Sequence, residues 1–599
     1  MTETLGTFSL VLHSHIPYVL AHGSSPHGTD WLSEAAAETY LPLLDVCHRL
    51  IADGISPKIT LGLTPVLVEQ LRDPSFHDEF SRYLRAKVDS AVSNGQQFRA
   101  EGNYHMAYLA RFWEDWYGKK RRDFEERYSC DIVGGFAELQ DAGHIEIITS
   151  NATHGYTTLF SQDTSIQAQV KQGVASYKRH FGRSPRGFML PECAYRPRYR
   201  WSAPAAVPGV PKTPYLRKGI DEFLAENGID YFFVDGHLLR GGEPPSIYAD
   251  KYGPLSRIWR QFARETRDVS YRSNSVYRGY EVKSAAERCV AVYGRDSETG
   301  VQVWSGDRGY PGDEWYLEFH KKYQDPRSRR LGLRYWRVSK EKADLGSKHL
   351  YEPHRAEAQT RAHATHFVSM VRDVLRSQAD PEAILCAVYD TELYGHWWFE
   401  GPEWLYQVIT DMAADRGIKR ETVGDYNEAK PPREAVDLPE GSWGEGGFHY
   451  IWLNGETAWS WKMIYETEVE VSELARDYAE SKPAERILKQ AVREAMLMMA
   501  SDWQFCISTG GARDYAEVRL RNHYDNFKAL SRLVRRAGSG HTLTRSDWKN
   551  IAESEARHRV FPDVDPRWIA SLEASVGLDT PCVTRERSPE GGVGIGSAN

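Results

Sequence analysis

Two short runs drop an apolar strand pattern straight onto a carboxylate. In Phe188-Met189-Leu190-Pro191-Glu192-Cys193-Ala194-Tyr195 the acid is Glu192, and Pro191 argues against a central strand continuing there. In Ala387-Val388-Tyr389-Asp390-Thr391-Glu392-Leu393-Tyr394-Gly395-His396-Trp397-Trp398-Phe399 the first acid is Asp390, followed by Glu392, His396 and three consecutive aromatics. A carboxylate at a strand end can serve as nucleophile or general acid. A hydrophobic wall raises a carboxyl pKa, which is how an Asp stays protonated to act as an acid. The plain alternatives are an ion-paired surface Glu and an aromatic loop that covers the core. Cys193 is a rival nucleophile, but no adjacent His marks a base for it, and it reads as a small packing residue.

Imidazoles stand at two other strand ends. If the first strand continues through His13-Ser14-His15, both rings point to the same side. They suit a metal pair or contacts to a substrate hydroxyl, with a buried hydrogen-bonded His as the bland reading. Zinc needs at least three protein ligands, and no HExxH or second His pair supplies the rest. Ser150-Asn151-Ala152-Thr153-His154-Gly155-Tyr156 adds His154, which an Asx turn explains about as well. Gly441 to Leu453 is rich in Gly, which lets backbone approach a ligand, and carries Trp443, Phe448 and Trp452. Trp304 and the Asp502-Trp503 pair add similar groups less specifically. Two carboxylates on different strand ends, ringed by Trp, form the basic kit for breaking a glycosidic bond.

The elements that must position these groups are legible as well. Short apolar runs occur at Phe8–His13, Lys58–Leu63, His144–Ser150, Gly187–Glu192, Asp230–Asp235, Cys289–Tyr293 and Ile384–Asp390. Helical patterns lie between most of them, including Asp30–Leu50, Asp73–Asn94, Ser165–Phe181 and Glu352–Gln378. Continuous apolar strands alternating with helices indicate a parallel sheet buried on both faces. The expectation is an α/β fold, a barrel with its site at the strand C-terminal ends, with a doubly wound sheet as runner-up. Barrel material with insertions is expected over 1–424, a mainly helical domain over 425–565, and a tail over 566–599 whose polar, Gly-rich end reads as disordered. Two long Pro- and Gly-rich interruptions, Arg196–Pro214 and Gly236–Pro254, fall on the site face, and long loops in compact domains are usually functional or disordered.

Composition excludes other classes. The chain has 599 residues, 41% hydrophobic and 26% charged, which supports a large core. Lys+Arg 75 against Asp+Glu 83 gives −8, so no basic excess recruits nucleic acid. No run approaches the roughly 18 apolar residues of a membrane span, and the beginning, with its apolar run broken by histidines, does not read as a signal peptide. Seven cysteines, scattered and never in CxxC, read as reduced thiols in a cytoplasmic protein.

Taken in order, HSHIPY, EIITSNATHGY, GFMLPECAY, YDTELYGHWWFEGP and SWGEGGFHYIWLN resemble the motifs of glycoside hydrolase family 57. HGTDWLSEAAAETYLPLL, VWSGDRGYPGDEWYLEF, MMASDWQF and FPDVDPRW make the likeness greatest to its 1,4-α-glucan branching enzymes, over about residues 6–565. The resemblance implies a distorted (β/α)7 barrel with inserted helical segments, a C-terminal helical domain, and a retaining mechanism without metal or cofactor. It places Glu192 at the nucleophile and Asp390 at the acid/base. His13 and His154 fall on substrate-contacting positions, and Trp31, Trp304, Trp443 and Trp452 resemble groove aromatics. His15, His396, Trp397, Asp502 and Trp503 join them as candidate substrate contacts. A Tyr needed for transfer would lie in Gly236–Pro254, as Tyr248 or Tyr252. The implied partner is an α-1,4-glucan. The rivals are an α-amylase or 4-α-glucanotransferase of the same family, a metal-dependent polysaccharide hydrolase or deacetylase using His13 and His15, and a non-catalytic glucan-binding protein. The long, basic Arg196–Pro214 segment departs from the pattern and would bear on the acceptor.

Overall fold

The computed structural model describes residues 4–24, 27–242, 272–286, 288–305, 309–323, 332–340 and 344–572. Seven parallel strands close into a barrel: β1 (Gly6–Ser14), β2 (Ile59–Leu63), β3 (Ile145–Ser150), β4 (Gly187–Met189), β5 (Tyr231–Asp235), β6 (Ala291–Arg295) and β7 (Ile384–Asp390). Each pairs with the next, and β7 returns to β1 over seven register pairs, from Thr7↔Ile384 to His13↔Asp390. The barrel is distorted where β4 has only three residues and where β6 meets β7 at a single pair, Cys386↔Arg295. The doubly wound alternative is excluded by this closure. The α/β barrel with helical insertions and a helical C-terminal region is the observed fold.

The pleat explains how the barrel aims its chemistry. Val11, Ile148, Phe233, Tyr293 and Val388 form a separate apolar cluster that fills the lumen, capped by Trp443. Side chains two residues further along a strand point to the same face. Hence His13, Ser150, Asp235, Arg295 and Asp390 stand one layer above that cluster, at the C-terminal rim. Register makes two neighbouring pairs of them, His13↔Asp390 and Asp235↔Arg295.

Between β2 and β3 lies a helical hairpin, Pro74–Ala100 and Tyr104–Arg122, whose first helix is capped by the Asp73 side chain and whose second is capped by Asn103. Barrel-side material runs past Gly424, because Ala435–Val436 pairs with Tyr280–Val282, which in turn pairs antiparallel with β6. The Arg196–Pro214 segment opens into a two-stranded hairpin, Tyr199–Trp201 with Tyr215–Arg217. Its Trp201 carries the buried Arg217 guanidinium 5.1 Å from its ring and meets Tyr465 of the C-terminal region edge-on. This segment therefore joins the barrel to the helices that follow.

Those helices are Ala458–Tyr478, Lys482–Met498, Asp502–Thr509, Arg513–Gly538 and Arg545–Arg557. In Lys482–Met498 the buried set Ala484, Ile487, Leu488, Ala491, Val492 and Ala495 recurs at three- and four-residue spacing, the stripe of a core-facing helix. Truncating one such Leu to Ala costs about 2–5 kcal/mol. The helices are tied to the chain leaving β1 by a buried polar network. The Glu494 carboxylate accepts from His523 Nδ1 at 2.9 Å and His558 Nδ1 at 2.6 Å, His558 Nε2 meets His22 Nε2 at 2.7 Å, and Arg519 donates to the Tyr18 carbonyl at 2.8 Å. Cys47, Cys130, Cys193, Cys386 and Cys506 are free thiols. Cys289 corrects the expectation of reduced cysteines throughout, because it is disulfide-bonded. Among the described residues no helix is long and apolar enough to cross a membrane.

Candidate active site

Glu192 sits on a sharp turn just beyond β4. Its φ of 59° and ψ of 22°, followed by φ 48° at Cys193, put two consecutive non-glycine residues in the left-handed region. Such backbone costs on the order of 1–3 kcal/mol per residue and persists only where the surroundings fix it. Here Cys193 N–H donates to the Leu190 carbonyl at 2.9 Å and Trp443 N–H to the Glu192 carbonyl at 3.0 Å. The carboxylate is fixed too: Trp443 Nε1 donates to Oε2 at 2.8 Å, and Ser501 Oγ lies 3.4 Å from Oε1. Burial pushes the Glu192 carboxyl up to about 8, with Asp390 and Asp502 adding to the rise while Trp443 and Ser501 favour its ionised form.

Asp390 ends β7 beside His13 of β1. Burial raises its carboxyl to about 6, opposed by the positive charge of Arg295 and by His15. Arg295 lies with its guanidinium 5.1 Å from the Trp443 ring, donates from Nε to the Val388 carbonyl at 3.0 Å, and pairs with Asp235 at 3.5 Å. The same cation thus supports the indole that holds Glu192 and moderates the Asp390 proton. The charge of Asp390 adds to the rise at Glu192, so ionisation of Asp390 disfavours ionisation of Glu192.

The histidines form a stack. His154 Nε2 meets His13 Nε2 at 2.9 Å, and its Nδ1 meets Ser501 Oγ at 2.9 Å. The His15 ring lies 3.9 Å from that of His154, and its Nε2 meets Asp502 at 2.9 Å. When Glu192 is ionised, Ser501 donates to it, so His154 Nδ1–H donates to Ser501 and His13 Nε2–H donates to His154. The polarity of the whole line is then set by Glu192, and His13 Nδ1 is left as a bare acceptor, consistent with its lack of a partner among the described residues. Burial holds His13 down to about 3 and His154 well below the usual imidazole range, so both are neutral donors and acceptors rather than cations.

Among the described residues two groups bring metal-ligand atoms close together: His15, His154 and Asp502, and Glu494, His523 and His558. In the first, the rings of His15 and His154 are parallel within 15°, so their in-plane lone pairs cannot converge on one ion. In the second, Arg519 donates to His523 Nε2 at 3.1 Å, which places the His523 proton on Nδ1, toward Glu494. Neither donor set fits a metal centre.

The aromatic candidates divide. Trp397, 36% exposed, and the half-buried Trp304 stand 5.7 Å apart, and Trp31 is half-buried. Trp443 enters the site through its indole N–H. Trp452 and Trp503 are each 1% exposed: Trp452 stacks on Tyr156 at 4.3 Å and Trp503 donates to the Leu497 carbonyl. His396 is likewise enclosed, with Nδ1 3.3 Å from Glu38 and its N–H donating to Thr39. Tyr248 and Tyr252 lie outside the described residues. Sequence reasoning missed Ser501, Arg295 and Asp235. Arg295 and Asp235 carried a strand-parity signal that could have found them, whereas Ser501 carried none.

Comparison with known proteins gives two family models. Residues 9–335 match glycosyl hydrolase family 57, and residues 463–568 match the C-terminal region of 1,4-alpha-glucan branching enzymes. A curated 1,4-alpha-glucan branching enzyme of Thermococcus kodakarensis is 38% identical over 568 residues, covering 93% of this chain and 78% of that protein. The crystal structure of a branching enzyme of the same family from Pyrococcus horikoshii superposes with a TM-score of 0.81 at 38% identity, over 95% of this chain and 98% of that one. An α-amylase from Thermotoga maritima is structurally similar too, with a TM-score of 0.75 at 27% identity over 95% of this chain and 100% of its own.

Proposed function

The chain belongs to glycosyl hydrolase family 57, and from that premise we propose that it is a 1,4-α-glucan branching enzyme with Glu192 as nucleophile and Asp390 as acid/base. The observation that carries the residue roles is the doubly tethered Glu192, on a left-handed turn with its carboxylate on the Trp443 indole and Asp390 at the same barrel rim. Glu192 attacks the anomeric carbon of an α-1,4-glucan while protonated Asp390 protonates the leaving oxygen. A glucan 6-hydroxyl, deprotonated by Asp390, then displaces Glu192 and forms an α-1,6 branch. Two inversions retain the α configuration. Transfer rather than hydrolysis requires water to be kept from the intermediate. The exposed Trp397 beside Trp304 supplies stacking surface for the glucan.

The second reading is hydrolysis, favoured by the likeness to the Thermotoga α-amylase. The match of residues 463–568 to the branching-enzyme C-terminal region favours transfer. A role in glycogen biosynthesis belongs to the same proposal and is supported by the substrate class. The test is incubation with amylose, following iodine absorbance and reducing ends together, then debranching with isoamylase. Falling absorbance without matching reducing ends, and new ends after debranching, supports branching. Reducing ends that rise in step with lost absorbance overturn it in favour of hydrolysis.

A further inference from the structure

The helix Lys482–Met498 carries a second surface on the side away from its core-facing stripe. Lys482, Glu485, Arg486, Lys489 and Arg493 recur there at three- and four-residue spacing. With Glu555 of the helix Arg545–Arg557 they line a groove of about 350 Å³, a size within the range of small-ligand sites. The Arg486 guanidinium closes on Glu555 with two bonds, from Nε at 2.7 Å and from Nη2 at 2.6 Å. Lys489 pairs with Glu485 at 2.8 Å. Arg493 is drawn inward: its Nη1 donates to Gln490 Oε1 at 3.0 Å, and its Nε donates to the Phe561 carbonyl at 3.3 Å.

Beside the groove stands an exposed indole. Trp548 lies two turns before Glu555 on the same helix, hence on the same face, and is 41% exposed. The turn that carries it is fixed by the reciprocal cap between Thr544 and Asp547, and the Trp548 N–H donates to the Thr544 carbonyl at 3.1 Å. A lone exposed aromatic needs no explanation. Here the indole and the groove share one guanidinium, because Arg486 also lies 5.8 Å from the Trp548 ring centroid.

Two ligand chemistries compete for such a groove. Four cations against two acids leave an excess that would attract an anion. Yet Arg486 is already answered by Glu555 and Lys489 by Glu485, so a phosphate has to displace carboxylates to use them. A neutral sugar does not. Arg486 commits only part of its N–H fork to Glu555, and each carboxylate oxygen retains capacity to accept. Donors and acceptors therefore lie side by side, which complements neighbouring sugar hydroxyls, each both donor and acceptor. The indole adds an apolar platform with a polar edge.

We propose that this groove is a second glucan-binding site, remote from the reaction centre, in which Trp548 stacks on a sugar ring and the Arg486–Glu555 pair hydrogen-bonds its hydroxyls. The assignment rests on the glucan reading. One helix joins the two places: from Arg486 to its end at Met498 is roughly 18 Å at about 1.5 Å per residue, and Ser501, which reaches Glu192, follows directly. A chain held here is gripped well away from the bond under attack, which keeps a polymer on the enzyme between cleavage and transfer.

The experiment is native electrophoresis of the full-length Glu192→Gln protein, which lacks the proposed nucleophile, through gels cast with increasing amylopectin. Glu192→Gln/Trp548→Ala should bind about 3- to 10-fold more weakly, the loss expected for one aromatic contact. Glu192→Gln/Trp548→Phe, which keeps a platform, should stay within about twofold of Glu192→Gln. A footprint needs no substitution in the groove: maltoheptaose added to Glu192→Gln should slow hydroxyl-radical oxidation of Trp548 by about threefold or more, and inorganic phosphate should not. Equal retardation of Glu192→Gln and Glu192→Gln/Trp548→Ala, or oxidation of Trp548 that ignores maltoheptaose, overturns the assignment. Protection by inorganic phosphate and not by maltoheptaose overturns it in favour of an anion site. No retardation of Glu192→Gln together with no protection of any tryptophan, Trp397 included, overturns the glucan reading itself, a distinguishable failure.

Discussion

Trp443 holds Glu192 twice: its indole Nε1 donates to Oε2 at 2.8 Å, and its backbone N–H donates to the Glu192 carbonyl at 3.0 Å. One bond orients the carboxylate and the other fixes the left-handed turn beneath it. The residue comes from a Gly-rich segment 251 positions later in the chain. Positioning of Glu192 thus depends on a tertiary contact rather than on β4 itself.

Trp443→Phe keeps an aromatic cap on the lumen and removes only the indole donor. A hydrogen bond to a charged group is worth about 1.5–3 kcal/mol, so kcat should fall by about 10- to 150-fold with KM changed less than threefold. Steady-state branching kinetics beside thermal melting will show it. Wild-type kcat in a folded variant would mean that Glu192 is positioned without the indole.

Asp390→Asn should slow glycosylation and transfer together on amylose. A glycosyl fluoride donor needs no acid for departure, so with α-maltosyl fluoride the first step should recover while the second stays slow. Intact-protein mass spectrometry should then show a maltosyl adduct, and peptide mapping should locate it at Glu192. An adduct elsewhere, or none, contradicts the assigned roles.

The pH dependence follows from these two carboxyls. Below about 6 both carboxyls are protonated and no nucleophile exists; above about 8 both are ionised and no acid exists. kcat/KM should trace a bell with limbs near these values, whichever carboxyl holds the single proton between them. A profile rising monotonically from pH 5 to 9 would rule out this pair as nucleophile and acid.

Stability should be lost on the acid side. Burial holds His13 and His523 down to about 3, while an unfolded imidazole titrates near about 6.5. The unfolded chain therefore binds more protons as pH falls through about 6.5, so this stability is fully present above that pH and lost progressively below it. Glu494 acts in the same direction at lower pH: burial pushes it up, but His558 and His523 outweigh this and hold it well below the carboxylate range. Tm measured from pH 7 to 4.5 should fall steadily; a constant Tm would show that these imidazoles accept protons in the folded state.

The barrel strands were legible because each is buried on both faces and reads as an apolar run. Glu192 and Asp390 were legible because each ends such a run. The resemblance to family 57 rested on those same segments. What the sequence did not display is partnership across the fold. Ser501 lies 309 residues from Glu192 within a helical pattern, and nothing about a Ser there announces the contact. The burial of Trp452 and Trp503 was hidden for a related reason: a Trp beside polar residues looks the same whether it is exposed or fills a core.

The helical region also sets a schedule. β7 is complete at Asp390, but Ser501 and Asp502, which reach Glu192 and His15, are made more than a hundred residues later. At roughly 5–20 residues per second, a ribosome spends on the order of ten seconds between the two. Throughout that interval the nascent barrel lacks the side chains that finish its reaction centre. A product interrupted before Ser501 therefore lacks the side chains that reach Glu192 and His15.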